Sequence, residues 1–274
     1  MNEPLITTIM PAYNAANYIR EAVESMLRQT HSNWELIIVN DGSTDDTKGQ
    51  IALFTDPRIR YFEQQNKGVG AARNLALENM RGEYFCFLDA DDVYTPNSLQ
   101  SRINVFKKDE TTDYVDGAVI FKTGDMTQDI KTYTPSFEGQ PYPQLLRINT
   151  ACLFGNTWMI KRKQGVRYQF NTSLAYSEDL FFYLTITEHG GQYRYTHDVV
   201  LWYRRHAVSA MQNTKGLEKG YRELYRLVKK QLRTNTSQLL YLKYKISRIM
   251  FATYLKGEKK PLDAFRSLIQ NLAL

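Results

Sequence analysis

Apolar positions in the first 120 residues follow two rhythms in turn. Residues 5–10, 34–39, 59–62 and 84–88 are short, nearly continuous apolar runs. Strands covered on both faces of a parallel sheet read this way. Between them, residues 18–30 set Ile19, Ala22, Val23, Met26 and Leu27 at helical spacing. A second helical stretch runs through Ile51 and Leu53, and a third covers residues 70–80. Strand alternating with helix predicts an α/β fold, a mainly parallel sheet flanked by helices. Strand-like runs at 114–121, 153–160 and 195–203 extend the sheet. Residues 109–143 are richer in Thr, Asp, Gly and Pro and predict a loop-rich region of the kind that lines binding sites. Beyond residue 212 the pattern is helical, with Leu217, Tyr221, Leu224, Val228 and Leu232 on one apolar stripe. The reading divides the chain into an α/β domain, 1–212, and a basic amphipathic helical extension, 213–274.

Each of the first four strands runs into a polar cluster. Pro11-Ala12-Tyr13-Asn14 follows the first and Asn40-Asp41-Gly42-Ser43 the second. The third leads into Asn66-Lys67-Gly68-Val69-Gly70-Ala71-Ala72-Arg73-Asn74, and the fourth into Asp89-Ala90-Asp91-Asp92. In a doubly wound sheet these loops share the carboxyl edge and form one nucleotide-sized crevice. Three crowded carboxylates repel one another unless a cation or a shared proton relieves them. A hard divalent ion, Mg²⁺ or Mn²⁺, suits them, completing its shell with phosphate oxygens and water. The bland alternative is a polar turn before a helix opened by Pro96-Asn97-Ser98-Leu99. Gly68-x-Gly70 is not a dinucleotide fingerprint, because the position that needs a small residue holds Arg73. The glycines instead suit close approach of a ligand to the backbone, with Lys67 and Arg73 offering positive charge to a diphosphate.

Composition changes this picture in two ways. Two cysteines, Cys86 and Cys152, make no disulfide framework, and neither a signal peptide nor a run of about 18 apolar residues is visible. A reducing cytoplasm is the expected setting. The net charge of +6 is unevenly spread. From residue 200 onward there are 16 Lys+Arg and 4 Asp+Glu, whereas the preceding 199 residues are acidic in balance. Lys219, Arg222, Arg226, Lys229, Lys230 and Arg233 interleave with the apolar stripe. That tail reads as a solvated helical cap or as a peripheral surface for anionic lipid at the inner face of a membrane. No nucleic-acid recognition motif accompanies the charge, and a homo-oligomer is compatible with the sequence.

The four loop clusters are the strongest carriers of a resemblance, running from residue 6 to about 209, to the family 2 glycosyltransferases with the GT-A fold. These are nucleotide-sugar-dependent enzymes that usually invert the anomeric centre. The resemblance implies a Rossmann-like nucleotide-binding sheet and a donor, most simply a UDP-sugar, held by Pro11, Ala12, Tyr13, Asn14 and Asp41. Lys67, Gly70, Arg73, Ala90 and Glu178 join that substrate-binding set. A carboxylate at Asp41 facing a uracil N3–H is an acceptor facing a donor. Asp91 is similar to the family's metal ligand. Asp89 would touch ribose or complete the metal shell, and Asp92 reads as a loop or capping residue. Ser177-Glu178-Asp179-Leu180 resembles the Glu-Asp motif whose second acid, Asp179, is the general base. His206, in Tyr203-Arg204-Arg205-His206, corresponds to a histidine near metal and pyrophosphate, where the adjacent arginines can meet phosphate. Trp158 could stack on an acceptor sugar or fill the core. The implied acceptor is a glycan or lipid-linked hydroxyl, the implied setting cell-surface polysaccharide synthesis. A sugar-nucleotidyltransferase and a non-catalytic nucleotide-sugar-binding module are the alternatives.

Overall fold

The computed structural model describes residues 3–152, 155–206, 213–257 and 260–272. Four parallel strands form its first half: β1 (Ile6–Ala12), β2 (Trp34–Asp41), β3 (Ile59–Gln64) and β4 (Tyr84–Phe87). Helices α1 (Ile19–Leu27), α2 (Thr47–Ala52) and α3 (Val69–Asn79) connect them. The short β5 (Val93–Tyr94), α4 (Ser98–Lys108), β6 (Thr112–Lys122), β7 (Asp129–Tyr133), α5 (Tyr142–Leu146), β8 (Met159–Lys161), α6 (Glu178–Thr187) and β9 (Gln192–Arg204) complete the α/β part. Three helices follow: α7 (Thr214–Gln231), α8 (Thr236–Ala252), which runs into a π-helical turn (Thr253–Gly257), and α9 (Pro261–Leu272).

The sheet order is β3-β2-β1-β4-β8-β6-β9-β5, with β7 paired to β6. Side chains alternate between two apolar layers, as a period of two requires. Ile9, Ile37, Val39, Phe85 and Phe87 face one layer, where α3, α6 and α7 pack. Ile6, Met10, Leu36, Ile38 and Cys86 face the other, covered by α1 and α4. This double burial explains why the strands carry no polar alternation. Pro11 is tolerated inside β1 because β4 pairing ends at Ile9↔Phe87, so its missing N–H faces a side with no ladder left to serve.

Three elements differ from the sequence expectation. The strand-like run at 153–160 shrinks to β8, and its expected start at residues 153–154 lies outside the described residues. The polar, exposed β7 and the five-residue α5 had no periodic signal. The helical tail is continuous with the main core. Leu217, Tyr221, Leu224 and Val228 of α7 share one apolar cluster with Leu180, Phe182 and Tyr183 of α6. Asn213 caps α7 through the Gly216 N–H, and Asn235 with Gln238 forms a capping box on α8. No helix among the described residues is long and apolar enough to cross a membrane.

Candidate active site

Strand ends β1 to β4 deliver their loops to one edge, where they enclose a cavity of about 470 Å³. Pro11, Ala12, Tyr13 and Asn14 form one wall, and Asp41, Asn66 and Gly68 the next. Asp89, Ala90 and Asp91 close the third side. The first two loops are tied together. Asn14, in a left-handed conformation at φ 48°, accepts from the Thr44 N–H at 2.8 Å and donates its own N–H to Ser43 Oγ at 3.0 Å. Asparagine tolerates that backbone region better than most residues. The Ala15 N–H reaches Thr47 Oγ1 at 2.8 Å, and the Ala16 N–H reaches Asp45 Oδ2 at 3.0 Å.

Asp41 organises the loop opposite. Its Oδ1 accepts from Gln64 Nε2 at 2.6 Å and the Lys67 N–H at 2.9 Å, and its Oδ2 accepts from the Gly68 N–H at 2.8 Å. One lone pair on Oδ2 remains for a ligand donor. Gly68 holds φ at 89° and has open space where a Cβ would stand, so this glycine gives the cavity a bare backbone wall. Gly70 does not. It is buried and does not line the cavity, and a Cβ there would make only ordinary contact with Phe170 at 3.5 Å. The Lys67 side chain is exposed and does not line the cavity.

The acidic loop is held from three directions. Asp89 accepts from Arg73 Nη2 at 3.0 Å through Oδ1 and from Asn156 Nδ2 through Oδ2. Asp91 Oδ2 lies 2.8 Å from His206 Nε2. Asp92 is buried and accepts the Arg204 N–H at 2.9 Å, so it fastens β9 and is not a helix cap. Arg204 also donates to the carbonyls of Asp91 at 2.8 Å and Gly124 at 2.6 Å and to Glu21. A guanidinium so occupied is not available to a phosphate, contrary to expectation. Oxygens of Asp89, Asp91 and Asp92 lie within 4.8 Å of one another. Asp92 Oδ2 has no partner among the described residues. Burial and the neighbouring carboxylates raise both Asp91 and Asp92 above the usual range. A crowded hard-oxygen set beside an imidazole fits a divalent cation.

Arg73 departs furthest from expectation. It is 5% exposed. Its Nη1 donates to Glu178 Oε1 at 3.1 Å while its Nη2 grips Asp89, and its guanidinium lies over the rings of Phe87 and Phe170. Both ends of the fork hold protein carboxylates, so it is a buried strut between the acidic loop and α6, not a cation facing a diphosphate. Next to Glu178, burial first and the Glu178 charge second push Asp179 up to about 7. Its Oδ1 accepts the Leu180 N–H at 2.6 Å. Ser177, just before the pair, sits in the left-handed region at φ 61°. Such strain persists only where surrounding contacts impose it. Here α7 presses on the preceding residue, since a Cβ on Gly220 would stand 2.5 Å from Tyr176 Cβ.

Residues 7–164 match the family described as Glycosyl transferase family 2. The chain belongs to that family. Over 112 residues it is 47% identical to an uncharacterised glycosyltransferase of Rickettsia typhi, a match covering 41% of this chain and 35% of that one. Over 109 residues it is 38% identical to an Escherichia coli protein named UDP-Glc:alpha-D-GlcNAc-diphosphoundecaprenol beta-1,3-glucosyltransferase WfgD, covering 39% of this chain and 43% of that one. The match thus spans less than half the length of either relative. The fold aligns with Staphylococcus aureus TarS 1-349 in complex with UDP-GlcNAc at a TM-score of 0.72 and 16% identity, over 97% of this chain and 79% of that one. Mannosyltransferase PcManGT from Pyrobaculum calidifontis, in complex with GDP-Man and Mn²⁺, aligns at 0.64 and 18%, over 99% and 80%. At those identities the likeness establishes the fold, the GT-A-type α/β sheet.

Within this family 2 chain, the structure brings Asp89, Asp91 and His206 together at the cavity, and links Asp179 to them through Glu178 and Arg73. It does not bring Trp158 there. That ring is 0% exposed, packed against Tyr183, Tyr193 and Tyr114 at 4.6, 4.9 and 5.5 Å. It is a core residue and cannot stack on a sugar. Sequence reasoning missed Asn156, whose amide holds Asp89, and Tyr18, which lines the cavity and meets the His206 ring edge-on at 4.9 Å. Neither carries a local sequence signal.

Proposed function

We propose that this chain is an inverting, metal-dependent glycosyltransferase that moves a sugar from a UDP-sugar to a hydroxyl of a glycan or lipid-linked acceptor during cell-surface polysaccharide synthesis. The observation that carries this reading is the placement of Asp179, one residue from the Glu178 end of the Arg73 strut whose other end holds Asp89 of the acidic loop, where burial and the Glu178 charge push its carboxyl up to about 7. An inverting transfer needs a base poised near the working pH to deprotonate the acceptor hydroxyl. In the reading, Asp179 takes the acceptor hydroxyl proton as that oxygen bonds the anomeric carbon. The bond from carbon to diphosphate oxygen breaks on the opposite face, and a nucleoside diphosphate leaves. Asp41 and the Gly68 backbone hold the nucleoside end, and the Asn14 loop closes over it. Asp91, His206 and Asp89 would hold Mn²⁺ or Mg²⁺, which when bound offsets charge growing on the departing diphosphate. Asp89 keeps a lone pair on each oxygen for that role or for a ribose hydroxyl, beyond those given to Arg73 and Asn156. The names of WfgD and TarS, with UDP-glucose and UDP-GlcNAc, favour a UDP-sugar and, for WfgD, a diphospholipid acceptor.

The test is a panel of nucleotide sugars assayed for nucleoside diphosphate release with and without Mn²⁺. Release from one UDP-sugar, dependent on metal and acceptor, supports the reading. Pyrophosphate from a nucleoside triphosphate, or donor binding without turnover across acceptors, would sink it.

A further inference from the structure

Fourteen large apolar side chains are exposed among the described residues, and seven of them fall between residues 240 and 269. They are not scattered. On α9, Leu262, Phe265 and Ile269 are 75%, 57% and 68% exposed at spacings of three and four, one continuous stripe. The opposite face of the same helix is fixed: Ala264, Ser267 and Asn271 are buried, and Arg222 of α7 reaches Asn271 and Gln270 at 2.8 and 2.6 Å. The helix is therefore anchored by its polar side, with its apolar side outward. On α8, Leu240, Tyr241 and Tyr244 are exposed, and Phe251 meets Phe265 of α9 with ring centroids 5.6 Å apart. An amphipathic helix with its apolar stripe outward needs something to cover it.

Charge selects the occupant. Residues 236–272 contain seven Lys+Arg and two Asp+Glu. Lys243, Lys245 and Arg248 make no ion pair among the described residues, and Arg147 lies over the Tyr241 ring at 5.8 Å. By contrast, the α7 cations singled out in the sequence are partly neutralised, Arg222 by Glu218 and Arg226 by Glu223. A second copy of the chain would bring two surfaces of the same sign together, which opposes pairing. A bilayer with acidic headgroups meets both features, since cations stay in the headgroup layer while Leu, Phe and Ile enter the acyl boundary. Tyrosines suit that boundary as well.

We propose that the outward faces of α8 and α9 form a docking surface for an anionic lipid bilayer. Binding needs no donor sugar, so its failure leaves the transfer reading untouched, and the converse holds. The experiment is co-sedimentation of the full chain with vesicles of phosphatidylcholine alone or with one third phosphatidylglycerol, at low and physiological salt. Binding to the anionic vesicles, weakened by salt, is expected. Leu262→Ser/Phe265→Ser/Ile269→Ser should reduce partitioning about a hundredfold or more, because three large apolar side chains leave the acyl boundary together. Its melting temperature should hold, because all three are exposed. Lys245→Glu/Arg248→Glu should remove the preference for phosphatidylglycerol. The proposal is overturned if wild type ignores anionic vesicles or if the triple variant binds as well as wild type. A wild-type dimer that the triple variant splits, without vesicle binding, also overturns it.

Discussion

Replacing Arg73 with methionine separates the two roles open to a cation in this loop. Methionine keeps much of the length and can still pack on Phe87 and Phe170. What goes is the charge and both forks, to Asp89 at 3.0 Å and to Glu178 at 3.1 Å. Taking one partner out of a buried pair leaves the other uncompensated, at a cost of about 3–5 kcal/mol. For a chain of this size that lowers the melting temperature by roughly 10 °C. Arg73 also holds the Asp179 pKa down, against burial and Glu178. With Asp179 as the base, the acid limb of the Arg73→Met rate profile should therefore move above that of the wild type, which is expected near pH 7. Adding Glu178→Gln removes one of the stranded carboxylates and the charge that most raises Asp179. The double variant should accordingly recover part of the stability and bring the limb back down, a coupling measured as a double-mutant cycle. Thermal melts and kcat/KM against pH read both effects. If Arg73→Met melts like wild type, keeps its acid limb and loses only UDP affinity, the guanidinium serves the donor diphosphate and the strut argument is wrong.

Three further outcomes are expected. Asp179→Asn should abolish transfer while retaining UDP-sugar binding by calorimetry. It should also melt higher than wild type above pH 7: a carboxyl raised from 3.8 to about 7 gives stability that is lost as pH rises through that window, an effect bounded at ~4 kcal/mol. Full transfer by this variant would refute the base assignment. Asp91→Ala should leave metal-independent UDP binding nearly intact and remove the Mn²⁺-dependent increment, read by titration with and without chelator; an unchanged increment would place the ion elsewhere. Trp158→Ala should cost about 3–5 kcal/mol by denaturant titration, the scale of emptying a core aromatic site, and a loss of acceptor affinity without loss of stability would restore the stacking role.

Most of the framework was readable because its causes are local. Strands β1, β2 and β4 are covered on both sides, so their apolar runs carry no ambiguity, and a polar cluster at each end marks the functional edge. What escaped the sequence depends on partners distant along the chain. β7 is exposed at four of its five residues, so no burial pattern could announce it. Trp158 sits among aromatics from β6, α6 and β9, a surrounding that no neighbouring residue reveals. Arg73 is the instructive case, because the pattern did hold a clue. On α3 the buried positions are Gly70, Ala72, Arg73, Ala76 and Leu77, so the arginine occupies a place in the apolar stripe, three residues from Ala76. A cation on the core face of a helix cannot remain unpaired, and its partners must be acids from another element. The sequence offered Asp89 and Glu178 among several candidates, 16 and 105 residues away. Only the packing of α3 between the acidic loop and α6 makes one guanidinium reach both. That same packing joins two separate motifs, because any movement of the acidic loop through Asp89 reaches Glu178, the residue beside Asp179, through a single guanidinium fork.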